Sequence, residues 1–188
     1  MADRYWVGGT GTWNNNSGGR WAYNSGGGGG AGNPGAGDNA IFDANSGGGS
    51  INVATGRQCL NLLLNGFTGT FTGSVSTDLY VYGDTVTLTG YSGISMPGNG
   101  PRLRFNTGMG YYNAYVYTYG STIGNWYIDS SKNVYLSQHA SGKNNGTIWN
   151  YGSLWLTSND LTVGTLLNYA GTINLGTSTT QIIQAGPL

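Results

Sequence analysis

Asn125-Trp126-Tyr127-Ile128, Asn133-Val134-Tyr135-Leu136, Gly146-Thr147-Ile148-Trp149 and Ser153-Leu154-Trp155-Leu156 decide the fold of this chain. Each is a short run with a period of 2, flanked by Gly, Asn, Ser or Asp. That alternation marks a β-strand with one face buried. Similar runs extend in both directions, among them Ala40 to Asp43, Cys59 to Leu64, Asp78 to Tyr82, Thr85 to Thr89, Arg102 to Phe105, Asp160 to Val163 and Thr172 to Leu175.

The spacing of the runs says more than the runs do. One row of apolar positions falls at Ile41, Leu60, Leu79, Leu103, Trp126 and Ile148. A second falls at Val53, Phe71, Leu88, Leu136, Leu156 and Leu175, with a gap between Tyr112 and Val116. Both rows advance by roughly 20 residues per step, about one coil of a β-solenoid. In such a fold each coil lies ~4.8 Å above the last, so six or seven coils make a rod of roughly 30 Å. The expected architecture is all-β: a single-stranded, right-handed parallel β-helix. The alternative is an antiparallel β-sandwich, which also has strands every 8 to 12 residues or so. Asn65-Gly66 and Asn145-Gly146 are the hairpin dipeptides that would favour it.

Composition agrees with an all-β chain. Of 188 residues 36 are Gly, 14 Tyr and 6 Trp, only 7% are charged, and Glu is absent. The usual occupants of helix solvent faces are therefore scarce, whereas Thr, Asn, Tyr and Val suit pleated surfaces and turns. Seven basic and seven acidic residues cancel. A chain without net charge has no electrostatic footprint for nucleic acid or for an anionic membrane, so neither is an expected partner. No stretch approaches the ~20 apolar residues of a membrane span, and the N-terminus lacks the apolar core of a secretory signal. The single cysteine, Cys59, lies among apolar residues and reads as a buried thiol.

Residues 1–37 differ from the rest. Tyr5, Trp6, Trp13, Trp21 and Tyr23 are separated by Gly, Asn and Thr, and a Gly-rich stretch from Ser25 to Gly37 follows. We read this segment as an N-terminal arm whose aromatics dock on a surface, either its own domain or a neighbour. Residues 38–188 form the β-helical domain.

Arg4-Tyr5-Trp6-Val7-Gly8-Gly9-Thr10-Gly11-Thr12-Trp13, followed by the segment Asp38 to Asn45, resembles the opening of Gly-rich bacteriophage structural proteins. Autotransporter-like β-helical surface proteins have similar openings. Asn150 to Leu156 and Asn168 to Leu175 resemble their short coil units. The resemblance implies a pectate-lyase-like β-helix on a virion or cell surface, and it supplies no catalytic residue. The missing signal and membrane-barrel segments favour the phage, whose proteins leave the host by lysis.

Candidate sites divide into chemical and surface ones. Hydrolysis of a polysaccharide needs two carboxylates roughly 5 to 9.5 Å apart. The acids are Asp3, Asp38, Asp43, Asp78, Asp84, Asp129 and Asp160, most of them at strand entries or turns, where Asp caps its own backbone. His139 is the only histidine and lacks a nucleophile-elbow partner. Gly8-Gly9-Thr10-Gly11 lacks the strand and the Lys of a phosphate loop. The expectation is no catalytic residue, no metal and no cofactor.

Aromatic surface is the better clue. Tyr111, Tyr115, Tyr117 and Tyr119 share one parity, so they point outward if Val116 faces the core. Trp149 and Trp155 alternate with Ile148, Leu154 and Leu156 in the same way. Arg102 and Arg104 flank Leu103 and share an outward face. These residues, with Tyr5, Trp6, Trp13 and Trp21, are the interface candidates. Outward Tyr and Trp suit either a protein contact or stacking on sugars; ordinary coverage of a neighbouring loop is the structural alternative. The functional expectation is a non-enzymatic virion protein, a trimeric capsid-decorating subunit that docks on major capsid or other virion proteins. A tail-fibre or adhesin module binding host glycans is the alternative, and a polysaccharide-degrading spike a more distant one.

Overall fold

The computed structural model describes residues 1–14, 19–54, 56–74, 76–89, 101–118, 124–137, 140–156 and 161–176. The chain winds into a β-solenoid of parallel sheets. One long face stacks eight parallel strands: β1 (Asp3–Trp6), β4 (Asn39–Asp43), β7 (Leu62–Asn65), β10 (Thr85–Thr89), β12 (Asn113–Tyr117), β14 (Asn133–Leu136), β16 (Ser153–Leu156) and β18 (Thr172–Asn174). The second face stacks six: β6 (Arg57–Cys59), β9 (Asp78–Val81), β11 (Arg102–Phe105), β13 (Asn125–Ile128), β15 (Ala140–Asn150) and β17 (Leu161–Asn168). A short third face of β2 (Gly11–Thr12), β5 (Ser50–Asn52) and β8 (Thr70–Thr72) closes the first coils. The second face spans five steps, giving about five turns where the coil is complete. The larger number of coils expected from the sequence counts the ends, where the first face overhangs the second.

Every pairing among these strands is parallel, which rules out the sandwich. Neither hairpin dipeptide makes a hairpin. Gly66 (φ 78°) turns the chain after β7, and Asn145 and Gly146 lie inside β15. The core is a set of ladders between equivalent strands. Leu79, Leu103, Trp126, Ile148 and Leu166 are successive register partners on the second face, all nearly inaccessible to solvent. On the first face the ladder is Ala40, Leu62, Val86, Val116, Leu136, Leu156. Val116 thus fills the gap in the second sequence row.

Both rows drift in places. Ile41 points outward beside Leu63, and Ala40 and Phe42 take the interior. Leu60 is buried just beyond β6, Phe71 belongs to the third face opposite Ile51, and Leu175 is exposed. The reason is that coil length varies, from 18 residues between Ile148 and Leu166 to 40 between Gly11 and Ile51. A constant step therefore slides from one face to another.

The described residues of 1–37 are wound into this solenoid. β1 pairs in parallel with β4, β2 pairs with β5, and β3 (Trp21–Ala22) lies antiparallel across the outer edge of β1. That antiparallel strand blunts an edge that would otherwise offer unpaired backbone groups. Two glycines permit the close winding: a Cβ on Gly49 would collide with the Thr10 backbone, and one on Gly29 (φ 81°) with that of Gly19.

Candidate functional site

Trp6, Trp13 and Trp21 are completely buried, which corrects their reading as docking residues for a neighbour. They close the N-terminal end of the core around Phe42. Trp13 and Trp21 meet edge-on at 5.0 Å, Trp6 and Trp21 at 5.3 Å, and Phe42 meets Phe71 at 5.0 Å. The Trp6 indole N–H donates to the Gly9 carbonyl at 2.9 Å, and that of Trp21 to the Trp13 carbonyl at 3.0 Å. Of the aromatics expected in the arm, Tyr5 is half-buried and Tyr23 is exposed, with the Arg4 guanidinium 4.9 Å from the Tyr23 ring.

Arg102 and Arg104 lie on the outer surface of the second face, and their acidic partners belong to the same chain. Arg102 Nε donates to Asp78 Oδ1 at 2.7 Å, and Arg104 bridges Asp78 (3.3 Å) and Asp129 (2.8 Å). Asn106 Nδ2 also donates to Asp129. Arg104 packs over Tyr127 at 4.4 Å and Tyr80 at 5.4 Å, while Arg102 lies between Tyr127 and Trp149. Burial opposes the Arg104 charge, but hydrogen bonding and attraction to Asp129, then bonding to Asp78, hold its pKa above the ordinary value. A cation sandwiched between rings and fixed by two carboxylates is a rigid patch.

The remaining acids are also mostly engaged. Asp3 accepts from Asn39, Asp38 from the backbone of Ala2 and Gly35, and Asp43 caps the 3-10 turn Ala44–Ser46. Asp84 is exposed; Asp160 lies outside the described residues, as do His139 and Tyr119. Cys59 is buried and its thiol pKa is raised by desolvation, so it is not a nucleophile at neutral pH.

Outward aromatics form columns. On the first face Tyr115, Tyr135 and Trp155 are register partners on consecutive strands. Their rings stack at 5.1 and 5.6 Å with interplanar angles of 20° and 19°. Tyr117 is half-buried beside them, and Trp149 sits half-buried on the second face. A second column, Tyr127, Tyr151 and Tyr169, runs along a corner at 5.1 and 4.7 Å. Sequence reading missed Tyr135, Tyr151 and Tyr169, although the signal was present: Tyr115, Tyr135 and Trp155 are each one coil apart.

Beside the Tyr115 end of the first column is a recess of about 290 Å³, lined by Asp84, Gly110, Tyr111, Tyr112, Asn113 and Tyr115. Its walls are the turn before β10 and the loop before β12. Beneath them lies Lys132, completely buried. Its ammonium donates to the carbonyls of Gly83 (3.0 Å), Tyr111 (2.7 Å) and, at 3.4 Å, Tyr82. One side chain thereby ties both walls together. Burial pushes its pKa down to about 8, against the opposing pull of Asp84. Lys132 ends a tight turn from Asp129 in which Ser131 has φ 66°, the one positive φ among described residues other than glycine. Comparison with protein-family models, with curated proteins and with solved structures finds no match for the chain.

Proposed function

We propose that this protein is a non-enzymatic bacteriophage virion surface protein, a capsid-decorating subunit whose outward aromatic column makes the contact with neighbouring virion proteins. The observation that carries this reading is the stacked column Tyr115–Tyr135–Trp155 on an otherwise weakly charged surface. Cores of protein interfaces are enriched in aromatic residues and depleted in Lys, Glu and Asp. Rings held rigid by stacking also lose little entropy on docking. Asp38, Asp43, Asp78 and Asp129 are spent on caps, backbone bonds and ion pairs, an arrangement that serves stability rather than bond cleavage. The solenoid supplies stiffness, and its sealed N-terminal end replaces the docking arm expected from the sequence. Trimerisation belongs to the same proposal.

The test is a particle reconstruction of the virion. Copies numbering in the hundreds on the head support decoration, with Tyr135 and Trp155 at the contact. A few copies at the tail would instead identify a fibre or adhesin module, and absence from the particle overturns the virion reading altogether. Tyr135→Ser with Trp155→Ser should leave the chain folded but abolish its incorporation.

A further inference from the structure

The recess beside Tyr115 has the construction of a ligand site. Tyr115 is the first ring of its column. Tyr135 covers one of its faces at 5.1 Å, whereas its register partner on the other side is Thr85, too short to cover an aromatic ring. Tyr115 is accordingly 40% exposed, Tyr111 also 40%, and Tyr112 59%. Three exposed tyrosines within five residues are costly to present to water unless something uses them.

The polar groups around them are held in place. Asp84 is exposed, and its Oδ1 accepts from Thr85 Oγ1 at 3.0 Å. Asn113 Oδ1 accepts from Asn133 Nδ2 at 2.9 Å, which fixes the orientation of the exposed amide. Gly110 contributes no side chain, and a Cβ there would meet open space. The backbone is pinned from below, since Tyr111 accepts from Lys132 and Tyr112 accepts from the Asn133 N–H at 2.7 Å. The walls are therefore preformed, which lowers the ordering cost of binding.

We propose that this recess binds a single neutral pyranose ring, stacked on the open face of Tyr115 and hydrogen-bonded through its hydroxyls to Asp84 and Asn113. An aromatic face offers its negative quadrupole to the axial C–H groups of a sugar. A carboxylate acceptor beside an amide matches vicinal hydroxyls. Its volume of about 290 Å³ lies just below the ligand-pocket range of roughly 300–1,000 Å³, which suits one ring rather than an extended chain. Neutrality follows from charge. Asp84 repels an acidic sugar, and Lys132, buried with its ammonium on three carbonyls, cannot reach a ligand carboxylate as an ion-pair partner.

Saturation-transfer NMR on the whole chain tests the assignment, with the methyl pyranosides of glucose, galactose, mannose and N-acetylglucosamine, and with glucuronate. At ~50 mM sugar, well above the millimolar dissociation constant expected for such a site, at least one neutral pyranoside should receive saturation through its ring C–H groups. Tyr115→Ala should weaken binding about tenfold or more. Asp84→Asn should weaken it less and remove the discrimination against glucuronate. No transfer to any neutral pyranoside, or equal transfer in Tyr115→Ala, overturns the site. The two readings share Tyr115, and Asp84→Asn separates them because it alters the recess and leaves the column intact; sugar binding without incorporation, or incorporation without sugar binding, distinguishes the two.

Discussion

The two ends of this solenoid use the same residues in opposite ways. At the N-terminal end Trp6, Trp13 and Trp21 point inward, meet edge-on and are sealed from solvent. Along the later coils Tyr115, Tyr135 and Trp155 point outward and lie nearly parallel. The difference follows from repetition. Where coils repeat, Leu, Ile and Val from neighbouring strands fill most of the narrow interior, with Phe105 and Trp126 the rings it takes in, and the column of Tyr115, Tyr135 and Trp155 lies outside. The parallel register then places like above like at the spacing of β-strands, so outward rings stack. At an end no further coil covers the last layer of core. Large indoles close it, and the N–H groups of Trp6 and Trp21 each reach a carbonyl.

The comparison predicts unequal costs. Deleting residues 1–37 should abolish folding, because it removes β1, β2 and β3 along with three buried tryptophans. Trp13→Ala or Trp21→Ala alone should cost ~3–5 kcal/mol in urea unfolding. A soluble, cooperative deletion variant would break the comparison, since the segment would then be an appendage. Lys132→Met should come next, at ~1–3 kcal/mol, because it leaves buried carbonyls without a donor.

The same lysine gives a pH signature. Its pKa is about 8 when folded against 10.5 as a free side chain. Between those values the unfolded chain binds a proton that the folded chain has lost, so stability should rise as pH climbs through this window. Below pH 8 both states are protonated and this contribution is flat. Melting temperature followed from pH 7 to 10 should show the rise in the natural sequence and not in Lys132→Met.

Surface changes should cost less. Asp129→Ala leaves Arg104 with Asp78 alone and should lose ~1–2 kcal/mol, as for a charged hydrogen bond. Tyr135→Ser removes two ring contacts at the surface and should cost ~1 kcal/mol or less. A loss of several kcal/mol there would mean the outward column is structural, which would undercut its reading as a contact face.

Much of the fold was legible because its signal is local and repeated. The alternation in Arg102 to Phe105 or Ser153 to Leu156 assigns inside and outside without knowledge of any partner. Leu79, Leu103, Trp126 and Ile148 could be aligned as one ladder from spacing alone. The ladder failed at Ile41 and Leu60, where the coils carry the third face and the step changes. The recess was only half visible. The parity of Tyr111 and Tyr115 marks them, but Asp84 reads as a turn residue and Lys132 carries no signal.

What the sequence determined by itself is the all-β character and the inward side of each run, because a period of 2 needs no knowledge of a partner. The parallel pairing that excludes the sandwich was decided by the tertiary structure, since runs at unequal intervals fit either arrangement. Only the tertiary structure decided which tryptophans are core. The Gly-rich segment around them has no period, so nothing local distinguishes an indole that seals its own end from one that reaches for a neighbour. It also decided the recess, since Lys132 joins carbonyls 49 and 21 residues away, and contacts over that distance exist only once the coils are stacked.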